Sequence, residues 1–252
     1  VLLNDPYRGG TPLPDLTAIS PIFFSGKIIA FAANRAHHAD IGGTVAGSFY
    51  SEATENFQEG LRIPPVRFVR NGKVDPDLRE IILNNVRVPR EMSGDLEAQF
   101  SSNRTAVKRT IALCQRYSFE TVKSAAEEIC TQSEKRMRTT IDTWPNGSWS
   151  AEDFLDNDGI NPEPIRVHVE LTVENDELKF DFSGSSKQVA GPVNSVRGMT
   201  ASATYLAVQA AVDPTIPAND GAYRPIKIYA PEGSLLNPKF PAPCTGSNET
   251  SH

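Results

Sequence analysis

The chain reads as an α+β fold, with mixed sheets around a long central helical hairpin. Three observations predict it. Ile165, Val167, Val169 and Leu171 alternate with Arg166, His168 and Glu170, the period of a half-buried strand. Between residues 95 and 144 the apolar positions recur at helical spacing instead. Before residue 95, apolar runs are cut by Pro, Gly and Asn-Gly punctuation. These changes of period divide the 252 residues into a strand-rich part (1–94), a helical hairpin (95–144) and a β-hairpin-plus-helix part (145–252).

The elements follow in order. Asn4 to Asp15 is a stiff loop of prolines and a glycine pair, with Asp5 and Asp15 as its carboxylates. Lys27-Ile-Ile-Ala-Phe-Ala-Ala33 predicts a buried strand. Residues 66–75 alternate about Asn71-Gly72, a hairpin signature. Asp77 is placed as the cap of a short helix carrying Leu78, Ile81 and Ile82 on one face. Gly94-Asp95 opens a long helix through Leu96, Phe100, Val107, Ile111 and Cys114. A second starts at Ser118 and carries Val122, Ala126, Ile129, Met137 and Ile141. The two are expected to pack on an antiparallel, bundle-like seam. Trp144 to Trp149 reads as a turn between subdomains. The strand from Ile165 turns at residues 174–177 and is answered by residues 178–183. Ala201 to Val212 is an Ala-rich core helix, Arg224 to Tyr229 a strand, and Pro231 to Pro243 an extended loop.

Composition narrows the function. A net charge of −6 argues against a nucleic-acid surface, and no block of basic residues appears. No apolar run is long enough to span a membrane. Cys114, Cys130 and Cys244 are odd in number and show no paired spacing, which favours a cytoplasmic home. Ser183-Gly-Ser-Ser lacks the Gly-Lys-Ser/Thr of a phosphate-cradling loop, so no ATP site is expected here. His168 falls on the polar side of its strand and reads as a surface histidine.

The strongest chemical signal is Asn34-Arg-Ala-His-His-Ala-Asp-Ile-Gly-Gly43. His37, His38 and Asp40 stand within four positions, at a strand end beside a glycine turn. Adjacent residues on a strand face opposite ways, so one histidine can serve a site while the other makes a core hydrogen bond. The carboxylate-bearing loop upstream adds the elements of a mixed carboxylate/imidazole site.

The chain resembles the hydantoinase B/5-oxoprolinase family, to which the acetone carboxylase alpha subunit is related. The motifs are Asn4-Asp-Pro-Tyr-x-Gly-Gly-Thr, Leu13-Pro-Asp15, Ala36-His-His-Ala-Asp-Ile-Gly-Gly43 and Glu59-Gly-Leu-Arg-Ile-Pro-Pro65. They continue with Asp95-Leu-x-Ala-Gln99, Phe182-Ser-Gly-Ser-Ser-x-Gln-Val-x-Gly-Pro-Val-Asn194, Arg224-Pro-Ile226 and Ala230-Pro-Glu-Gly-Ser-Leu-Leu-Asn-Pro238. Phe240-Pro-Ala-Pro243 and Glu249-Thr-Ser251 complete the set. The resemblance implies a B-type subunit of an ATP-dependent hydrolase of hydantoin- or 5-oxoproline-like cyclic amides. ATP would sit on a hydantoinase A-type partner subunit in a hetero-oligomer. An acetone-type ATP-dependent carboxylase subunit is the alternative within the family.

The resemblance further implies a divalent metal (Zn, Mn or Fe), with Asp15 and His37 among its ligands. His37, His38 and Asp40 would be the catalytic group, with the latter two orienting. The family's loop histidine is replaced by Pro12, and its upstream carboxylate would precede Val1. That departure supports a third reading, a non-catalytic scaffold that has lost its metal. Both ends of the chain are expected to be cut within a larger subunit.

Overall fold

A computed structural model describes residues 1–251 as two compact units. The first comprises Val1–Phe119 with Ala190–Pro192 and Phe240–Gly246. The second comprises Glu120–Val189 and Val193–Lys239, with the segment from Ser247 onward.

In the first unit, strands β1 (Leu2–Leu3), β2 (Asp15–Phe24) and β3 (Lys27–His37) form an antiparallel sheet in that order. Period-two alternation puts Leu16, Ala18 and Ile22 of β2 on the buried face. Helix α2 (Pro89–Tyr117) covers that face, and Met92, Leu96 and Phe100 join Leu2, Leu16 and Ala18 in one core. Three amide side chains lock the contact. Gln99 Nε2 donates to the Leu16 carbonyl and to Asn34 Oδ1, both at 2.9 Å, while Asn34 Nδ2 donates to Asn103 Oδ1 at 2.8 Å. Asn103 Nδ2 donates in turn to the Ala18 carbonyl at 3.0 Å. Buried amides are stable only when paired, so this network sets helix position and strand register together.

β3 is a strand, as expected, but not a buried one. Only Ala32 of the 27–33 run is buried, while Ile28 and Phe31 are exposed. A sheet with one covered face leaves alternate apolar residues outside, whatever their hydropathy. The 66–75 hairpin forms as β4 (Val69–Arg70) and β5 (Lys73–Val74). Helix α1 (Pro76–Leu83) is capped by Asp75 rather than Asp77, its carboxylate accepting from the Leu78 N–H. Pro76 at the first helical position explains the choice, since its missing N–H needs no partner there. Likewise α2 starts at Pro89, so Gly94 lies inside the helix rather than opening it.

In the second unit, β6 (Gly147–Leu155), β7 (Ile165–Glu174), β8 (Glu177–Asp181) and β9 (Ile226–Tyr229) form one sheet in that order. The first three are antiparallel and β9 runs parallel to β8. A parallel return needs a crossover, here helices α4 (Arg197–Ala211) and α5 (Asp220–Tyr223). β6 lies where a turn was expected. Its residues are mostly exposed and show no apolar alternation, so pairing with β7 alone makes it a strand. Helix α3 (Phe119–Ile141) gives Met137 and Ile141 to the core of Val173, Leu178, Val208 and Ile226. A Cβ on Gly221 would meet the Cys130 carbonyl oxygen at 1.8 Å, so only glycine lets α5 approach α3 so closely. A last short helix, α6, spans Ser247–Thr250.

The two long central helices are present; Met92, Leu96 and Phe100 of α2 belong to the first core, and Met137 and Ile141 of α3 to the second. Among the described residues no helix is long and apolar enough to cross a membrane, and the three cysteines are free. Cys114 is buried, whereas Cys130 is only partly buried.

Candidate functional site

The antiparallel register places Asp15, the first residue of β2, directly opposite His37, the last of β3. Cross-strand partners share a face. The two side chains accordingly meet, with His37 Nδ1 2.8 Å from Asp15 Oδ1. A carboxylate only accepts, so the proton between them sits on Nδ1, and the Nε2 lone pair is left for other work. His37 is half exposed, at 54% of its side chain. The Phe49 ring leans over it, with centroids 5.8 Å apart.

The other carboxylate oxygen is also engaged. Asp15 Oδ2 accepts from the Thr11 hydroxyl at 3.2 Å and lies 3.6 Å from Arg35 Nε. Arg35 also donates to Thr11 Oγ1 at 3.0 Å. Arg35 stands two residues before His37 on the same strand, which puts both on one face. That spacing was a readable signal for Arg35, one that the His-His motif overshadowed.

The loop delivering Asp15 is held by Asn4, which is fully buried. Asn4 Nδ2 donates to the Leu13 carbonyl at 2.7 Å and the Leu61 carbonyl at 2.9 Å, and its Oδ1 accepts from the Ile63 N–H. Asp5 closes a tight turn by accepting from the Tyr7 N–H. Glu59 is buried too, and accepts from the Cys244 and Thr245 N–H groups and from Asn56 Nδ2. Burial pushes its carboxyl pKa up against these hydrogen bonds.

His38 points the other way, into the core, at 1% exposure. Its Nε2 lies 3.0 Å from Gln99 Oε1, an acceptor, so Nε2 carries the proton. Its buried Nδ1 makes no hydrogen bond, and the nearest carboxylate oxygen, Asp95 Oδ2, is 3.9 Å away. Burial holds its pKa below the ordinary imidazole value.

Asp40 organises the following loop. Its carboxylate accepts from the N–H groups of Gly42, Gly47 and Arg87 at 2.9–3.0 Å and from Arg87 Nη1 at 2.9 Å. Burial alone would raise its pKa; these bonds outweigh it and hold the group below the usual carboxylate range. Gly43, at φ +82°, packs so closely that a Cβ would meet the Gln58 carbonyl oxygen at 2.7 Å. Thus Asp15 and His37 are brought together, while His38 and Asp40 fix the backbone on either side. The sequence reading missed Thr11, Arg35, Phe49, Arg87 and the partnership of Gln99 with His38.

Asp15 and His37 supply two donors already bonded to each other, with a guanidinium beside the carboxylate. Pro12 offers none. Among the described residues no group of three or more His, Cys, Asp or Glu is placed to hold a metal. A metal cage needs three or four converging donors, so these residues alone do not fit a resident ion.

Known proteins resemble the chain along its whole length. An uncharacterized protein of Methanocaldococcus jannaschii is 38% identical over 252 residues, covering 100% of this chain and 44% of that protein. A Pseudomonas sp. protein described as the B-type component of a D-/L-hydantoinase is 36% identical over 255 residues, covering 96% of this chain and 43% of its own. The crystal structure of the ATP-dependent caprolactamase from Pseudomonas jessenii superposes with a TM-score of 0.90 at 29% identity, over 97% of this chain and 42% of that one. The chain thus spans less than half the length of these relatives. The family model for hydantoinase B/oxoprolinase matches residues 1–252, every position of the sequence, and the chain belongs to that family.

Proposed function

We propose that this chain is the Asp15–His37-bearing part of a B-type subunit in an ATP-dependent cyclic-amide hydrolase. The observation that carries the reading is the 2.8 Å pair itself: a half-exposed imidazole oriented by a carboxylate, with Nε2 free. ATP would be used by an A-type partner subunit to phosphorylate the amide oxygen of a hydantoin- or 5-oxoproline-like ring. Phosphorylation turns a poor electrophile into a good one, so water can add at the ring carbon. His37 Nε2 takes the proton of that water, while Asp15 holds the imidazole by its Nδ1–H and stabilises the cation that forms. The adduct then collapses with cleavage of the ring C–N bond, the nitrogen leaving with the proton that His37 returns. A second water releases phosphate from the acyl phosphate left behind. His38 and Asp40 act by position, one anchoring β3 and the other shaping the loop that carries Phe49. No step is routed through a metal, for which these residues do not fit. A cytoplasmic, hetero-oligomeric enzyme is the setting proposed.

The test is the assembled enzyme. His37→Ala should lower kcat for ring opening by about 10²–10⁴-fold with little change in KM. Substrate-dependent ADP release should persist and so uncouple from product. Asp15→Asn should act in the same direction, because the amide cannot hold the Nδ1–H tautomer as a carboxylate does. Pro12, where the family carries a loop histidine, favours a second reading, a scaffold subunit. An unchanged kcat in both variants would establish that reading and refute the first.

A further inference from the structure

The outer face of the β2–β3 sheet changes character along its length. Asp15, Thr17, Ile19 and Pro21 of β2 lie on it, alternating with the buried residues of that strand. Their cross-strand partners on β3 are His37, Arg35, Ala33 and Phe31. The first two pairs are polar and the next two apolar. The strands therefore offer charge-binding groups at one end of this face only, where Thr17–Arg35 stands one step along from Asp15–His37.

Both members of that pair have donors to spare. Arg35 is 45% exposed and spends one N–H on Thr11 Oγ1, at 3.0 Å. Its Nε lies 3.6 Å from Asp15 Oδ2, too far for a hydrogen bond. Among the described residues its other N–H groups have no acceptor, and the hydroxyl of the partly buried Thr17 is bonded to no other group. A guanidinium fork beside a hydroxyl is a donor set suited to a phosphoryl group, with its several acceptor oxygens and up to two charges. Asp15 stands nearby as an opposing charge, but its oxygens are already engaged by His37 and Thr11. Same-face neighbours along a strand are about 7 Å apart. Between His37 Nε2 and a phosphorus there must fit a water, the ring carbon it attacks and the oxygen joining carbon to phosphorus. One register step gives that chain of atoms room, and two would carry the phosphoryl group onto apolar side chains.

We propose that Arg35 and Thr17 form the phosphoryl subsite of this centre: they grip the phosphate carried on the amide oxygen and so set the ring carbon against the water on His37 Nε2. The inference rests on the ring-opening reading above. Phenyl phosphate, an oxygen-linked phosphate on a planar ring, is the probe. The full chain, isotope-labelled, should be titrated with it and followed by NMR. Saturable shifts at Arg35, Thr17 and the His37 ring are expected. Arg35→Gln should weaken binding about tenfold or more and Thr17→Val about threefold, while Arg35→Lys should restore part of the loss. Benzoate, with two oxygens and one charge, should bind about tenfold more weakly than phenyl phosphate. In the assembled enzyme, Arg35→Gln should cut ring opening about tenfold or more while substrate-dependent ADP release continues. The His37 ring nitrogens of ligand-free Arg35→Gln should keep their wild-type shifts, which a role confined to supporting Asp15 would not allow. Thr17→Val, which leaves the partners of Asp15 in place, carries the test should Arg35→Gln fail to fold. Equal binding of benzoate, shifts that never saturate, or full affinity in both variants would overturn the subsite, even where His37→Ala abolishes ring opening. An unchanged kcat in His37→Ala would instead overturn the ring-opening reading, and the subsite with it, even where phenyl phosphate binds.

Discussion

Asp40→Ala is a sharp test of how the loop after the two histidines is held. The wild-type carboxylate is 2% exposed and takes hydrogen bonds from the N–H groups of Gly42, Gly47 and Arg87. Removing it strands those donors, at about 1–3 kcal/mol for each one that water cannot reach. Gly42 is buried and would remain unpaired, while Gly47 and Arg87 can recruit solvent in part. The Arg87 guanidinium is 42% exposed, so the ion pair itself is heavily screened and adds little. The expected loss is about 3 kcal/mol, against about 1 kcal/mol for Arg87→Ala, which leaves three N–H groups on the carboxylate. Urea unfolding at neutral pH, with unchanged m-value, measures both.

The pH dependence gives an independent check. The folded pKa of Asp40 lies below its ordinary 3.8, so the unfolded chain binds the proton more readily. The group's contribution is complete above that pH and is lost as pH falls through the folded value. The gap between wild type and Asp40→Ala should therefore be constant above 3.8 and narrow below it. A loss under about 1 kcal/mol, or a gap that ignores acid, would refute the assignment of Asp40 as the organiser of this loop.

Three further outcomes are expected. His38 has a folded pKa below its ordinary 6.5, so its contribution should be present above that pH and lost on acidification; His38→Gln should flatten that part of a stability–pH curve measured by chemical denaturation. Gly43→Ala forces a left-handed φ on a residue whose new methyl meets backbone, and should cost about 2–4 kcal/mol in the same assay. The isolated chain should give no ATP-binding heat in calorimetry, because no phosphate-cradling loop is in its sequence; measurable binding would refute placing ATP on a partner.

The division of labour between His37 and His38 was legible from strand periodicity, since neighbours must face opposite ways. The partnership of His37 with Asp15 was not. It depends on a register set by Gln99, Asn34 and Asn103, amides that carry no periodic signal. The hairpins at Asn71-Gly72 and at 174–177 could be read because turn chemistry is local. β6 could not, because an exposed strand defined only by backbone pairing leaves no apolar trace. The burial of β3 was misjudged because hydropathy does not report which sheet face has a cover. Arg87 lies 47 residues beyond Asp40, and nothing between them announces the contact.

The amide lock described for α2, β2 and β3 acts as a reading-frame mark for the sheet. A slip of one residue would turn His38 outward, bury His37 in its place and strand several amide groups at once. Only the stretch between Asp15 and Ser20, and its partners on β3, is fixed in this way. Beyond the irregularity in pairing at Ile22 and Phe23, the tip at Ser25 and Gly26 touches none of these groups. A foreign peptide grafted at that tip should leave the frame, and with it the His37–Asp15 pair, undisturbed. The hairpin end is therefore a natural port for tags and probes, within the same strands whose other end tolerates no shift.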